Sequence, residues 1–368
     1  FKDPVAQSLG WDPSAAAFTS SIMLAAFVLG IIIGGRVQDS IGPKIVTLAG
    51  SIIMSLGILL SSFVTASAPQ LIYLTYGIIG GFGVGVIYTC TVSTVQKSFP
   101  DKRGLATGLI VSSFGLSLVV FAPVAEFMLE RIGVPSTFRV FGIGFLVICT
   151  ICSLFISAPE ASNKGIAAAA MSNIKQYSTL EMLKTKQFYL IALSMFFILP
   201  AYFILNPMIK SLGIERGLSN ESAVAGVMIT GICSAAGRLI LSWMSDKTGR
   251  KNAILAAGAI TLISGLVMTF ATGVLFLVCV GAIAFAFGGS SGVYAAITAE
   301  NFGTKNAGLN FGCVMTAFGL SALISPAVSK ALSANGNYAM SFTVAAITSA
   351  IAIVLVLFIK SPKKEQGA

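Results

Sequence analysis

The sequence predicts an all-α polytopic membrane protein made of two pseudo-symmetric helical bundles, and three observations predict it. Charged residues make up 10% of the chain and apolar residues 56%, with a mean hydropathy of +0.92. A soluble domain carries about 25% charged residues and would not cover its surface with so few, whereas a surface facing lipid needs none. Eleven apolar runs are long enough to cross the hydrocarbon layer, about 30 Å thick, which takes about 20 helical residues. The polar loops between these runs recur in the same order at offsets of 203 to 207 residues.

The runs lie near Ala15–Val37, Ile45–Val64, Gln70–Val95, Gly104–Leu129, Ser136–Ala158, Gln187–Ile209, Glu221–Met244, Asn252–Ala271, Val274–Ala299, Gly308–Ala331 and Tyr338–Ile359. The one long polar interval is Pro159–Lys186. The repeat is read from three matches. Lys102, Gly104, Leu105 and Gly108, followed by Phe114-Gly-Leu-Ser117, match Lys305, Gly308, Leu309 and Gly312, followed by Phe318-Gly-Leu-Ser321. Asp39-Ser-Ile-Gly-Pro-Lys44 matches Asp246-Lys-Thr-Gly-Arg-Lys251, and Ser8-Leu9-Gly10 matches Ser211-Leu212-Gly213. A full run precedes Ser211, but only seven residues precede Ser8. The runs are therefore numbered 2 to 12, and the expectation is that the first helix of a six-plus-six plan is missing from the sequence. Three segments result: an N-terminal bundle, 1–158 (helices 2–6), a linker, 159–186, and a C-terminal bundle, 187–368 (helices 7–12).

Composition also excludes. The net charge of +10 is spread over short loops without the dense basic stripe that nucleic-acid binding needs. Sixteen of the 23 Lys and Arg residues fall on the side holding the linker and the C-terminus, which places both in the cytoplasm by the positive-inside rule. The absence of histidine removes HExxH zinc sites, Ser-His dyads and histidine proton relays. No recognisable nucleophile sits beside a base and no GxxxxGK[ST] loop is present, so neither an enzyme nor an ATP-driven pump is expected, and no cofactor or metal. Cys149 and Cys152 form a CxxC inside an apolar run, which reads as small-residue packing. Gly81-Phe-Gly83-Val-Gly85 has no strand before it and no acid about 20 residues on, as a dinucleotide fingerprint would; with Gly77 it reads as a close helix contact.

One charge stands apart. Arg238 lies seven residues before Ser245, about 10 Å inside the helix at 1.5 Å per residue, where insertion costs at least about 2.5 kcal/mol. The positions three and four away are Ser234, Ala235, Leu241 and Ser242, none of them acidic. A cation so placed is a candidate site for an anion, and its planar fork suits a carboxylate. The alternative is a side chain snorkelling to the headgroups.

The loop Gly35-Arg-Val-Gln-Asp39-Ser-Ile-Gly42-Pro-Lys44, repeated as Ser242-Trp-Met-Ser-Asp246-Lys-Thr-Gly249-Arg-Lys251, resembles the loop signature G-x-x-x-D-R/K-x-G-R-R/K of the major facilitator superfamily. Ser40 and Ser242 depart from it. Ser98-Phe-Pro-Asp-Lys-Arg-Gly104-Leu-Ala-Thr-Gly108 and Gly-Val-Gly-Val-Ile-Tyr88 are similar to the oxalate/formate antiporter-like proteins, relatives of the monocarboxylate transporters. The resemblance implies the major facilitator fold, eleven of its twelve helices present here, in a monomeric multi-pass protein of a bacterial-type cell membrane. It implies a latch on the cytoplasmic gate at Asp39 and Asp246, with Gly42 and Gly249 making tight reversals at φ > 0. It also places a substrate-binding arginine at Arg238. Phe318 stands where the oxalate carriers have a lysine, and Ser234 where monocarboxylate transporters often have an aspartate.

Tyr88 and Tyr294 follow Gly-Val-Ile and Gly-Val, at corresponding places in the repeat on this reading, and can offer hydroxyls to a carboxylate. Asn206-Pro207 frees a backbone carbonyl in helix 7 and is a candidate gate hinge. The expected function is secondary transport of small monocarboxylates such as lactate, pyruvate or formate, with proton coupling left open. An oxalate/formate-type exchanger and a non-transporting sensor of the same fold are the alternatives.

Overall fold

The computed structural model describes residues 2–11, 13–156, 176–332 and 338–360. A short helix, α1 (Lys2–Ser8), is followed by α2 (Pro13–Ile41), α3 (Pro43–Ser61) and α4 (Tyr73–Ser98), the last opening with π-wound turns over Tyr73–Gly80. The segment Arg103–Leu154 is divided at Gly133 (φ 73°, ψ 174°) into α5 and α6. Then come α7 (Lys186–Glu215), α8 (Asn220–Thr248), α9 (Arg250–Met268), α10 (Gly273–Phe302), α11 (Ala307–Leu332) and α12 (Ala339–Leu357). Among the described residues there is no strand, and eleven helices are long and apolar enough to cross a membrane. This is an all-α, integral, multi-pass membrane protein.

Local chemistry sets the boundaries. Gly42 (φ 91°, ψ 163°) and Gly249 (φ 92°, ψ 148°) reverse the chain between α2 and α3 and between α8 and α9, in a region of backbone space essentially reserved for glycine. Ser219 caps α8 by accepting from the Ser222 N–H. A capping box between Ser178 and Glu181 starts the one-turn helix Thr179–Leu183 ahead of α7. The expected linker lies largely outside the described residues. Helix α7 is interrupted twice: at Pro200, and at the single 3-10 turn Asn206–Met208, because proline supplies no N–H and crowds the preceding turn.

The backbone gathers into two compact units. One comprises Phe1–Ser98, Val120–Met171 and Thr304–Met315, and the other Phe99–Val119, Ser172–Gly303 and Thr316–Ala368. The first part of α5 is thus grouped with α7–α10, and the start of α11 with α2–α4.

The sequence repeat reappears as repeated packing. In the first unit Leu9, Val64, Ile72 and Phe138 form one buried cluster with Val134 beside it. In the second, Leu212, Met268, Phe276 and Phe342 form another with Tyr338 beside it. These are the same five positions, 203 or 204 residues on. Helix crossings repeat as well. A Cβ at Gly30 of α2 would strike the Phe82 carbonyl, and one at Gly237 of α8 the Phe285 carbonyl; one at Gly85 would strike the Phe27 carbonyl, and one at Gly288 the Ser234 carbonyl. Backbones that close admit no side chain, as at small-residue crossings generally.

These crossings fix the register at 207 residues for α2 and α8 and at 203 for α4 and α10. The expected equivalence of Tyr88 and Tyr294 is therefore corrected. Tyr88 corresponds to Ser291 and Tyr294 to Thr91, since the interlocked glycines, not the Gly-Val-Tyr pattern, decide the alignment. The counterparts α6 and α12 differ in burial, α6 being the less buried, and α12 packs along α7.

Candidate functional site

Helix α8 carries Arg238 to a place where its side chain lies inside protein. The residue is 9% exposed. Its Cζ is 6.0 Å from the centroid of the Phe287 ring on α10, and a Cβ at Gly115 of α5 would lie 3.0 Å from its Nη1. The guanidinium is thus directed between α5 and α10, at a depth that the position of Arg238 along α8 sets.

Around it stands an aromatic group from three helices. Tyr202 of α7 stacks on Phe287 at 3.7 Å between centroids, with planes 10° apart. Phe203 meets Phe287 edge-on at 5.6 Å and Phe318 of α11 at 5.3 Å. Phe287 and Phe318 are 6.1 Å apart. Tyr202, Phe203 and Phe318 keep part of their surface accessible. Adjacent residues of the short helical piece Pro200–Leu205 of α7 both reach the Phe287 ring. Asn206 and Pro207 are themselves exposed. Arg238 and Phe318, singled out in the sequence, are brought together through Phe287. Ser234, one turn before Arg238, is 3% exposed and lies at the α8–α10 crossing.

The two tyrosines are placed differently. Tyr294 has no exposed surface, and its hydroxyl donates to Ser194 Oγ of α7 at 2.9 Å. It is a tie between α7 and α10, and Ser194, not an open face, accepts its hydrogen bond. Tyr88 is buried among Phe27 and Phe311, with centroids 5.4 and 6.2 Å away. The sequence reading missed Tyr202, Phe203, Phe287 and Gly115. Tyr202-Phe203 one turn before Asn206-Pro207, and Phe287 just before Gly288-Gly289, were the available signals, but aromatic residues are common in apolar runs and carry no polar mark.

A second constellation involves the two loop aspartates. Asp246 accepts from the N–H groups of Gly104 (3.0 Å) and Leu105 (2.7 Å) at the start of α5. It pairs with Arg250 at 2.5 Å, and Arg250 in turn holds Glu300 of α10 at 2.7 Å and Ser245 Oγ at 2.6 Å. Asp39 accepts from Lys97 of α4 at 3.0 Å and from the Leu309 N–H at the start of α11 at 3.5 Å. Each carboxylate sits at the positive end of a helix whose first N–H groups have no partner within that helix. The two contacts are repeat counterparts, since Asp39 corresponds to Asp246 and Leu309 to Leu105. Where Arg250 braces Asp246, Lys97 from a different helix braces Asp39. Among the described residues no group of three or more Cys, Asp or Glu is placed to hold a metal ion.

Comparison with known proteins adds three findings. The family model described as Major Facilitator Superfamily matches residues 2–291 and 191–368. The oxalate:formate antiporter of Oxalobacter formigenes is 28% identical over 365 residues, covering 98% of this chain and 85% of that protein, and monocarboxylate transporter 12 of Xenopus laevis is 24% identical over 357 residues, covering 90% and 77%. Among solved structures, the E. coli fucose:proton symporter FucP superposes with a TM-score of 0.70 at 16% identity, covering 98% of this chain and 95% of that one.

Proposed function

The chain belongs to the major facilitator superfamily, and from that premise we propose that this transporter is a secondary carrier of small monocarboxylates in which Arg238 takes the substrate's carboxylate. The observation that carries the reading is a guanidinium in mid-span, 9% exposed and turned into protein beside Phe287. Ionisable side chains within membrane spans are rare and face the bundle interior, where they mark substrate or ion pathways. Two relatives whose names refer to carboxylates, the oxalate:formate antiporter and monocarboxylate transporter 12, support it.

On this proposal the linker and the C-terminus face the cytoplasm, on the side that holds the excess of Lys and Arg. Transport proceeds by alternating access. The Asp39 and Asp246 contacts latch the cytoplasmic gate, Gly42 and Gly249 shape the latch loops, and Asn206-Pro207 supplies a hinge in α7. Ser234 offers a hydroxyl one turn from Arg238 and no second charge. The reading as an oxalate/formate-type exchanger rests on the relative that covers 98% of the chain. Against it stands Phe318, an aromatic ring where the resemblance implies a second cation.

The test is Arg238→Gln, measured by lactate and pyruvate affinity in proteoliposomes. A hydrogen bond to a charged group contributes about 1.5–3 kcal/mol, so affinity should fall roughly 10- to 150-fold. The amide is cheaper in lipid than the cation, so insertion should be retained. An Arg238→Gln carrier that binds both anions like the parent would remove the assignment.

A further inference from the structure

The rings beside Arg238 carry information about the rest of the substrate. Phe287 is the hub: Tyr202 covers it at 3.7 Å, Phe203 and Phe318 flank it, and the Arg238 Cζ lies 6.0 Å from its centroid. A carboxylate held by the guanidinium would lie beside Phe287 and so beside the group of rings packed on it. The helices that supply those rings bring no cation with them at this depth. Helix α10, Gly273–Phe302, contains neither Lys nor Arg. In α7 the basic residues are Lys186 and Lys210, and in α11 Lys330, all at or near helix ends. These three helices offer a second carboxylate no balancing cation at this depth, and an unbalanced charge is costly in a low dielectric. An apolar body would meet a partly open aromatic surface instead.

We infer that the wall formed by Tyr202, Phe203, Phe287 and Phe318 favours, among small monocarboxylates, those with a branched or aromatic apolar body, and rejects dicarboxylates. This rests on the proposed reading of Arg238 as the carboxylate site and names the class of substrate that site takes. Each methylene accommodated in an apolar pocket is worth about tenfold or more in discrimination.

The test is ligand-induced thermal stabilisation of the purified full chain in detergent, which reports binding without requiring turnover. The probes are formate, pyruvate, 4-methyl-2-oxopentanoate, phenylpyruvate and oxalate. The expected result is that the branched and aromatic oxo acids bind at least about tenfold tighter than pyruvate, and oxalate at least about 100-fold weaker. In Phe287→Leu and, separately, Phe203→Leu, the gap between phenylpyruvate and pyruvate should shrink at least about fivefold. Two variants guard against one failing to fold. Phe318→Lys should raise oxalate binding and lower that of phenylpyruvate. If all carboxylates bind alike, or oxalate binds tightest, and Arg238→Gln abolishes the effect, the wall is not selective and the carboxylate site stands. If no carboxylate stabilises the chain, both readings fall.

Discussion

At the scale of single residues, depth and surroundings decide what Arg238 can do. Its depth was legible, because a charge seven positions inside an apolar run is visible without coordinates. Its surroundings were not, because Phe287, Tyr202 and Gly115 are apolar residues from three distant helices that no pattern marks. The same limit applied to Tyr294, whose position after Gly-Val made its hydroxyl look available, whereas the structure joins it to Ser194 at 2.9 Å. Phe318 was legible only through the resemblance, as the ring in place of an expected lysine. A prediction follows from the shape of the guanidinium. Arg238→Lys keeps the charge and loses the planar fork, so lactate and pyruvate affinity in proteoliposomes should lie between those of the parent and of Arg238→Gln. A lysine variant no better than the glutamine would mean that geometry, not charge, carries all the binding.

At the scale of elements, the helix pair α2 with α11 and the pair α8 with α5 are joined by the same device, a carboxylate on the first N–H groups of a helix distant in the chain. The two are not equal. Asp246 takes two N–H groups at 3.0 and 2.7 Å and one guanidinium nitrogen of Arg250 at 2.5 Å, while Asp39 takes Lys97 at 3.0 Å and the N–H groups of Gly308 and Leu309, the latter at 3.5 Å. Charge-assisted bonds are stronger when short, so the Asp39 contact, whose distances are longer, should be the easier one to release. On the proposed latch role, Asp39→Asn should lower the transport rate while leaving substrate affinity within a few fold, because a latch tunes a conformational equilibrium and lies away from the proposed site. Asp246→Asn should lower the melting midpoint in detergent more than Asp39→Asn does. Equal loss of rate and affinity in Asp39→Asn would indicate general damage in place of a latch. The loops that hold these aspartates were legible because Asp and Gly recur there at fixed spacing. The bracing cations Lys97 and Arg250 were not distinguished from other loop charges, because which charge meets which depends on helix packing.

At the scale of the whole molecule, duplication organises everything described above. Clusters at Leu9–Phe138 and Leu212–Phe342, and glycine crossings at Gly30 and Gly237, recur at offsets the loops already announced. Span number and order were readable because lipid demands long apolar helices with satisfied backbones. The register between α4 and α10 was not, since apolar stretches align almost equally well several ways and only interlocked backbones discriminate.

The central claim, a carrier whose cation binds a carboxylate, is tested most directly by counterflow. Proteoliposomes containing the chain are loaded with unlabelled pyruvate and diluted into a trace of labelled pyruvate. A carrier exchanging through one site accumulates label transiently above its equilibrium level, and Arg238→Gln should abolish that overshoot while the protein remains in the membrane. A chain that is stabilised by pyruvate yet shows no overshoot would be a sensor with a carrier's fold, and an overshoot untouched by Arg238→Gln would place the carboxylate elsewhere.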